Sequence, residues 1–492
     1  MDLKLNNRQE IASFISRIER EFDVNEWKVN NIHFWPLIRI ELFFFLARLE
    51  IKNKVTVFST EKLPQSKKKP IKISIISQLN KLVRYYFSLQ RKKYVFVGSD
   101  AHRVTLKEKR YNRFFDPIID SLNLRNDSIY LEYGKLNKAS YYHEESIFNT
   151  YAIQKSYLFV ADFFNRYLKR NDTIHFGDYQ KFIDFLNSYE LTLDFSKKFT
   201  SIYLRETYLK LFMQRYNFYT VIFKKIKPSK IFVLCYYDYQ ILPLIAAANS
   251  NNIKTVDFQH GPQPDVHLAY SGWNSIPARG YAVLPKQFWN WNVTSSDNIN
   301  KWAKATNIYS SFIGGNTWIS FWSNLKNEYQ FKNYILYSLQ PDPLDINDLF
   351  CESIIKSIKQ HDFIWFIRLH PRQLNMVENY KTFVAEQGII DKVNFENATF
   401  DPLPVIIQNA ILHVTHFSGT AIEAAMMGKH SLLLHPNALD CFPDLIENRS
   451  ATYINYCSND FQEKFSNLVT SLRQCNQENN IVNTIDYSGY FK

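Results

Sequence analysis

Ile411-Leu-His-Val-Thr415-His416-Phe-Ser418-Gly419-Thr420-Ala-Ile-Glu423-Ala-Ala-Met-Met427 is an apolar run that ends in hydroxyl residues and passes at once into a helical stretch. A short run of Ile, Leu, Val and Thr reads as a strand buried in a sheet. The residues from Ala421 to Met427 read as the helix that follows. The first N–H groups of such a helix have no partner inside it and lie at the positive end of its dipole. Ser418 and Thr420 add hydroxyl donors, and Gly419 would let a phosphate approach the backbone, which together make a phosphate cradle. Capping of the helix by Ser418 or Thr420 is compatible with that role. Glu423, one turn into the helix, either accepts from ribose hydroxyls or stands on the surface.

The same strand–loop–helix rhythm recurs along the chain. Strands are expected at Lys93–Asp100, Lys230–Asp238, Lys254–Gly261, Tyr281–Leu284, Tyr334–Leu339, Phe363–His370, Val393–Phe395 and Lys429–Pro436, with helices at Ile241–Asn249 and about 346–360. Strand, helix and strand with short connections imply right-handed crossovers and parallel sheets. The fold class is therefore α/β, with two doubly wound, Rossmann-like units joined near 313–333. Ahead of them, Ile11, Phe14, Ile15 and Ile18 fall at helical spacing. Trp27–Arg39 leads into an apolar helix with Pro36 in its first turn. The polar, basic stretch 53–75 with Pro64 and Pro70 reads as a loop, and 73–91 as a basic amphipathic helix. The division reads as an N-terminal helical extension 1–92, a first Rossmann-like domain 93–320, a second 330–458, and a C-terminal helix and tail 459–492, the helix at about 460–475 packing back on the first unit. Parallel sheets bind ligands at the carboxyl ends of their strands. Two such sheets facing each other would place a site in the cleft between them, at the loops after Val97, Cys235, Phe258, Leu339, Leu369 and Thr415.

Two further motifs fall at those loops. In Arg368-Leu-His370-Pro371-Arg372, Pro371 stops the strand and fixes the turn. His370 can donate to a phosphate oxygen, and Arg368 and Arg372 add permanent charge; the plainer reading is a histidine that closes a loop. In Gln259-His260-Gly261-Pro262, Gly261 permits a tight turn. A neutral imidazole at His260 suits the work of a general base toward a hydroxyl, with Asp238, Asp257 and Asp265 as carboxylate alternatives.

The bulk composition bounds the setting. The chain has 492 residues and a formal charge of +12, which fits an anionic partner or an unevenly charged surface. Lys67, Lys68, Lys69, Lys72, Lys81, Arg84, Arg91, Lys92 and Lys93 crowd one stretch. That stretch either docks on anionic inner-leaflet lipid or is a solvated arm. No nucleic-acid-binding motif accompanies the charge, so no nucleic acid is expected as partner. Five cysteines without a CxxC pair fit neither a disulfide scaffold nor a zinc site. The acidic and polar N-terminus does not read as an export signal. No apolar run reaches the roughly 20 residues of a spanning helix; the stretch at Phe43–Ala47 is broken by Arg39, Glu41 and Arg48. A cytoplasmic location is expected, with the inner membrane face as a possible station.

Gln259-His260-Gly261, Gly315-Asn316-Thr-Trp318, His370-Pro371 and Ser418-Gly419-Thr420 with Glu423, taken in series, resemble GT-B glycosyltransferases of bacterial capsule and lipopolysaccharide assembly. A His-Pro motif followed by a Ser/Thr motif is similar to CMP-sugar users, the Kdo transferases and polysialyltransferases. Similar motifs occur in the CDP-glycerol glycerophosphotransferases of teichoic acid synthesis, with Trp-His-Gly in the place of Gln259-His260-Gly261. The resemblance covers about 230–445. It implies a metal-independent transferase in which His260 activates the acceptor while His370 and Ser418 hold the nucleotide phosphate. It implies no cofactor beyond the nucleotide-sugar donor as co-substrate, and an oligosaccharide or lipid-linked acceptor. The acidic pair with Gly that accompanies His-Pro in several sialyltransferases is not evident here, which leaves Asp238 and Asp265 open as the base. Gly419 also separates Ser418 from Thr420, where the family has adjacent hydroxyls. Other readings are a CDP-polyol phosphotransferase, a sugar-nucleotide epimerase and a non-catalytic component of a polysaccharide assembly complex.

Overall fold

The computed structural model describes residues 5–53, 74–136, 139–168, 172–323, 329–340, 344–474 and 487–491. Most of the expected 53–75 loop lies outside the described residues. The chain divides into two units: Met1–His260 with His267–Ile313, and Gly261–Val266 with Gly314–Lys492.

The first unit is built on a seven-stranded sheet. Across it the strands run Ser310–Ile313, Gln287–Asn290, Lys254–Phe258, Lys230–Leu234, Tyr94–Gly98, Ser128–Glu132 and Ile147–Asn149, every neighbour parallel. Chain order reverses between Lys230–Leu234 and Tyr94–Gly98, the switch point of a doubly wound sheet. The central strands are buried along nearly their whole length. Tyr94–Gly98 and Lys230–Leu234 read as apolar runs for that reason, while Ser128–Glu132, which ends on a buried Glu132 paired with Arg103, is not among the strands expected from sequence. Aromatic rings fill the layer beside them: Phe96 stacks on Phe232 at 4.9 Å and Phe258 on Trp289 at 4.4 Å.

The segment expected as an extension enters this core. Helix Arg8–Glu21 starts where Asn7 accepts from the Glu10 backbone at 2.9 Å, and it buries Ile11, Phe14, Ile15 and Ile18, the residues its spacing marks. These side chains, and Leu37, Ile38 and Leu42 of helix Trp35–Asn53, share one apolar core with Val95, Ile231 and Val233 of the sheet. Full burial of each contributes about 1.5–3 kcal/mol. Arg39, which breaks the apolar run in sequence, is 1% exposed. Its Nε lies 2.9 Å from Glu19, it donates to the carbonyls of Leu268, Ser271 and Gly272, and its guanidinium covers Trp273 at 4.0 Å. A charge survives burial only with such a full set of partners. A small antiparallel sheet of Lys28–Val29, Ile32–His33 and Ile174–His175 also belongs to this region.

Tyr281–Leu284 is a turn, and the strand follows it at Gln287–Asn290. The apolar run is buried because Tyr281 is anchored, its N–H donating to Tyr309 and its hydroxyl to the carbonyl of Ser275 at 2.7 Å.

The second unit holds a six-stranded sheet in the order Val393–Asn394, Trp365–Arg368, Tyr334–Ser338, Ala410–Thr415, Ser431–Leu433 and Ala451–Tyr453, again all parallel. In chain sequence this is 3-2-1-4-5-6, the dinucleotide-fold order, and the reversal falls between Ser338 and Thr415. The expected helix at 346–360 is two, Ile346–Leu349 and Glu352–Gln360. The last helix, Phe461–Gln474, packs on this second unit, against the expectation from sequence. Phe465 stacks on Trp365 at 5.8 Å, and Gln462 donates to the Ser353 carbonyl at 2.8 Å.

Candidate functional site

In the first unit the strand Lys230–Leu234 ends at Cys235, whose φ of +53° turns the chain sharply. That turn directs the Cys235 thiol and the Tyr237 hydroxyl to one atom: Nε2 of His260 lies 3.0 Å from Sγ and 3.2 Å from Oη. His260 follows the neighbouring strand. Its approach is fixed by Gln259, fully buried, which accepts from the Trp291 N–H at 2.7 Å and donates to Ser295 at 3.0 Å. Desolvation pulls the His260 pKa down to about 4, so the ring is neutral at pH 7 and open to a proton, though a weaker base than an ordinary imidazole.

The three carboxylates considered beside His260 are placed differently. Asp257 is buried within the strand, accepts from the Tyr236 N–H at 3.1 Å and pairs with the Tyr270 hydroxyl at 3.0 Å. Burial pushes its pKa up to about 8, so it is a neutral core group at pH 7. Asp238 accepts from Gln240 N–H at 2.7 Å while its carbonyl accepts from Ile241 at 2.8 Å, which starts helix Leu242–Ser250. Asp265 is exposed in Gly261–Val266, the segment that is counted with the second unit.

In the second unit the two motifs meet at the switch point. His370 caps the turn Pro371–Met376: its Nδ1 accepts from the Arg372 N–H at 3.1 Å, and its own N–H donates to Gln373 at 3.0 Å. A neutral His370 therefore carries its proton on Nε2, which makes that atom a donor. Gln373 donates to the Gln340 carbonyl at 2.8 Å, and the Gln340 side chain accepts from Phe417 N–H at 2.6 Å. Gln340 thus ties the His370 turn to the Ser418 turn. Neither residue type nor spacing marks Gln340 in the sequence; only the adjacency of the Tyr334–Ser338 and Ala410–Thr415 strands reveals it.

The Ser418 turn is braced from within. Ser418 N–H donates to Thr415 Oγ1 at 3.3 Å, the Ser418 and Thr420 hydroxyls lie 3.2 Å apart, and Thr420 N–H donates to Ser418 Oγ at 3.3 Å. Ser418 and Thr420 are half-buried. Gly419 is closely approached from within the protein. A Cβ there would lie 2.7 Å from Pro262 Cδ and 3.5 Å from Gly261 Cα. The group that approaches its backbone is the Gly261-Pro262 segment. Arg368 is likewise committed: its Nη1 donates to the carbonyls of Ala398 at 2.6 Å and Asp401 at 2.9 Å, bracing the loop beside the strand. Pro371 and Arg372 are exposed. Glu423 is buried, 8% exposed, with Asn316 Nδ2 at 3.4 Å, which removes the surface alternative.

His416 was not singled out by sequence. Its Nε2 lies 3.0 Å from the Tyr337 hydroxyl, whose proton goes to the Leu349 carbonyl at 2.6 Å. The neutral ring therefore donates from Nε2 and leaves Nδ1 as a buried acceptor with no partner among the described residues. Desolvation pulls its pKa down to about 3. A buried acceptor of that kind calls for a donor from water or ligand. Among the described residues no group of three or more His, Cys, Asp or Glu could hold a metal ion, and no helix is long and apolar enough to cross a membrane.

No family model matches the chain, and no curated protein matches it. Among solved structures it is similar to the UDP-GlcNAc 2-epimerase from Methanocaldococcus jannaschii, with 14% identity over 80% of this chain and 96% of that one, and a TM-score of 0.47. The S. aureus MnaA–UDP structure gives 12% identity, 80% and 93% coverage and a TM-score of 0.47. Acinetobacter baumannii MurG gives 11%, 79% and 97%, with a TM-score of 0.36. These likenesses are remote, and the fold rests on the strand orders themselves: two successive doubly wound parallel sheets, as the GT-B expectation requires.

Proposed function

We propose that the chain is a GT-B glycosyltransferase that moves a sugar from a nucleotide-activated donor to a growing surface polysaccharide or a lipid-linked acceptor. The observation that carries this reading is the Gln340 link. It holds the His370 and Ser418 turns together where the second sheet reverses strand order, the place where doubly wound sheets bind nucleotides.

In this reading the acceptor hydroxyl attacks the anomeric carbon, and the bond from that carbon to the donor phosphate breaks. The hydroxyl proton passes to His260, and the departing nucleotide takes the negative charge. His370 Nε2–H and the donors of the Ser418 turn meet that charge, as fixed dipoles meet developing charge elsewhere. A CMP-linked donor is the finer assignment; the His370-Pro371 and Ser418 motifs and their likeness to CMP-sugar users support it.

A thermal-shift screen against CMP, CDP, UDP, GDP and ADP tests the reading. A ligand at 100 times its Kd stabilises by about 2.7 kcal/mol. The expected result is a shift with CMP that Ser418→Ala or His370→Ala removes. A CDP shift instead favours a CDP-polyol phosphotransferase. A UDP shift with turnover of the free nucleotide sugar, no acceptor being present, favours an epimerase. No shift with any nucleotide overturns the catalytic reading in favour of a structural part of an assembly complex.

A further inference from the structure

Helix Ile75–Ser88 keeps none of its residues fully buried. Its inner side rests on helix Thr150–Leu168: Ser156 donates to Gln78 at 2.6 Å, while Tyr85 packs edge-on against Phe148 at 6.2 Å, just before that helix begins. The two pairings run in opposite chain directions, so the Ile76 end lies toward Phe159 and Phe163, both 37% exposed.

The outer side is apolar where a solvated helix carries charge. Ile76 is 66% exposed, Val83 51% and Phe87 72%. Spaced at i, i+7 and i+11, they fall on one line along the helix. Exposed Arg84 and, further round, Lys81 lie on one side of that line, and Lys225 lies on the other, over the rings of Tyr86 at 5.3 Å and Phe87 at 5.8 Å. Between Glu61 and Asp100 the sequence contains no acid, and Lys67, Lys68, Lys69 and Lys72 precede the helix.

An apolar line bordered by cations, on a helix without acids and beside an Asp162 already paired with Lys210 at 3.1 Å, matches one surface chemistry: an acyl layer under anionic headgroups. A second copy of the chain would set like charges against each other. We propose that the outer face of helix Ile75–Ser88 docks on an anionic lipid bilayer. Ile76, Val83 and Phe87 enter the headgroup–acyl boundary, and Lys81 and Arg84 meet the lipid phosphates. The proposal is independent of the donor assignment, since it needs no nucleotide.

Flotation of the full-length protein with vesicles tests it, using phosphatidylcholine alone against phosphatidylcholine with about one-quarter phosphatidylglycerol. The wild type is expected to float with the anionic vesicles only, and to float less as salt rises. Each Lys or Arg near an anionic surface contributes roughly fivefold in partitioning, so Lys81→Gln with Arg84→Gln should weaken it at least tenfold. Val83→Ser with Phe87→Ser should weaken it by a similar factor, with the unfolding midpoint unchanged because both side chains are exposed. Should that variant fail to fold, the lipid and salt dependence of the wild type, with the Lys81/Arg84 variant, decides the matter. Equal flotation of the serine variant and the wild type overturns the proposal. So does equal binding to neutral vesicles, no binding at all, loss only when Lys67, Lys68, Lys69 and Lys72 are changed to Gln, or a concentration-dependent dimer that the serine variant abolishes.

Discussion

The strand end that carries His260 and the strand end that carries Ser418 solve opposite problems. At His260, itself half-buried, a thiol and a phenol converge on Nε2 and Gln259 locks the approach. At Ser418 the hydroxyls are half-buried, and the turn is held by Gln340 and Thr415 from beneath. One end fixes the partners of a single ring; the other fixes the shape of a turn. Proton transfer needs an unprotonated group within reach of the proton, whereas anion binding needs prearranged donors. On the proposed reading the two ends carry those two tasks.

Replacing His260 is the largest expected break in that comparison. On the proposed reading, His260→Ala should lower transfer by about 10²–10⁴-fold while nucleotide-dependent thermal stabilisation, which belongs to the other end, stays intact. Loss of both together would mean that the ends do not divide the work. The retained histidine also predicts a pH profile. With the pKa near 4, the acid limb of kcat/KM should fall near pH 4, well below the ordinary 6.5; a limb at 6.5 would show that desolvation does not control the ring.

Gly419→Ala comes next. Its new Cβ would meet Pro262 Cδ at 2.7 Å, and overpacking of that kind costs about 1–3 kcal/mol. Unfolding should register the loss, and Pro262→Ala in the same chain should recover part of it. No recovery would remove Pro262 as the cause. Gln340→Ala should cost about 1 kcal/mol for the bond to Phe417, with a larger proportional fall in nucleotide affinity than in stability. Equal falls would make Gln340 a packing residue only.

Asp257→Asn touches the proposed chemistry least and acts on the pH dependence of stability instead. The folded pKa is raised to about 8, above the unfolded value of about 3.9. The unfolded chain therefore releases this proton first, and the carboxyl drains stability as pH rises from about 4 to about 8. Asn keeps the acceptor for Tyr236 and cannot ionise, so its stability should fall less over that window. Parallel curves for the two proteins would refute the neutral carboxyl. The histidines oppose this trend: His413 and His416 are fully buried with pKa values lowered to about 3. Below about 6.5 the unfolded chain takes up protons that the folded one refuses, so their contribution is complete above that pH and drains away as it falls.

Strand rhythm was legible because parallel strands buried on both faces must be continuously apolar, as at Tyr94–Gly98 and Tyr334–Ser338. The same signal misled at Tyr281–Leu284, where a buried turn is as apolar as a strand. The first 53 residues showed their helices but not their destination, since an amphipathic stripe states that a face is buried and not against what. The last helix, Phe461–Gln474, was misplaced for the same reason.

Periodicity and local turn chemistry act over a few residues, and they were enough for the α/β class, the two doubly wound units, and the loops that carry His260, His370 and Ser418. What surrounds the residues on those loops came from the packing of the folded chain. It set Cys235 and Tyr237 on His260, assigned Gly419 to Pro262 and Arg368 to two carbonyls, and joined two motifs through Gln340. Those outcomes depend on which strands lie side by side, and strand neighbours are chosen by the burial of the whole sheet rather than by any short stretch of chain.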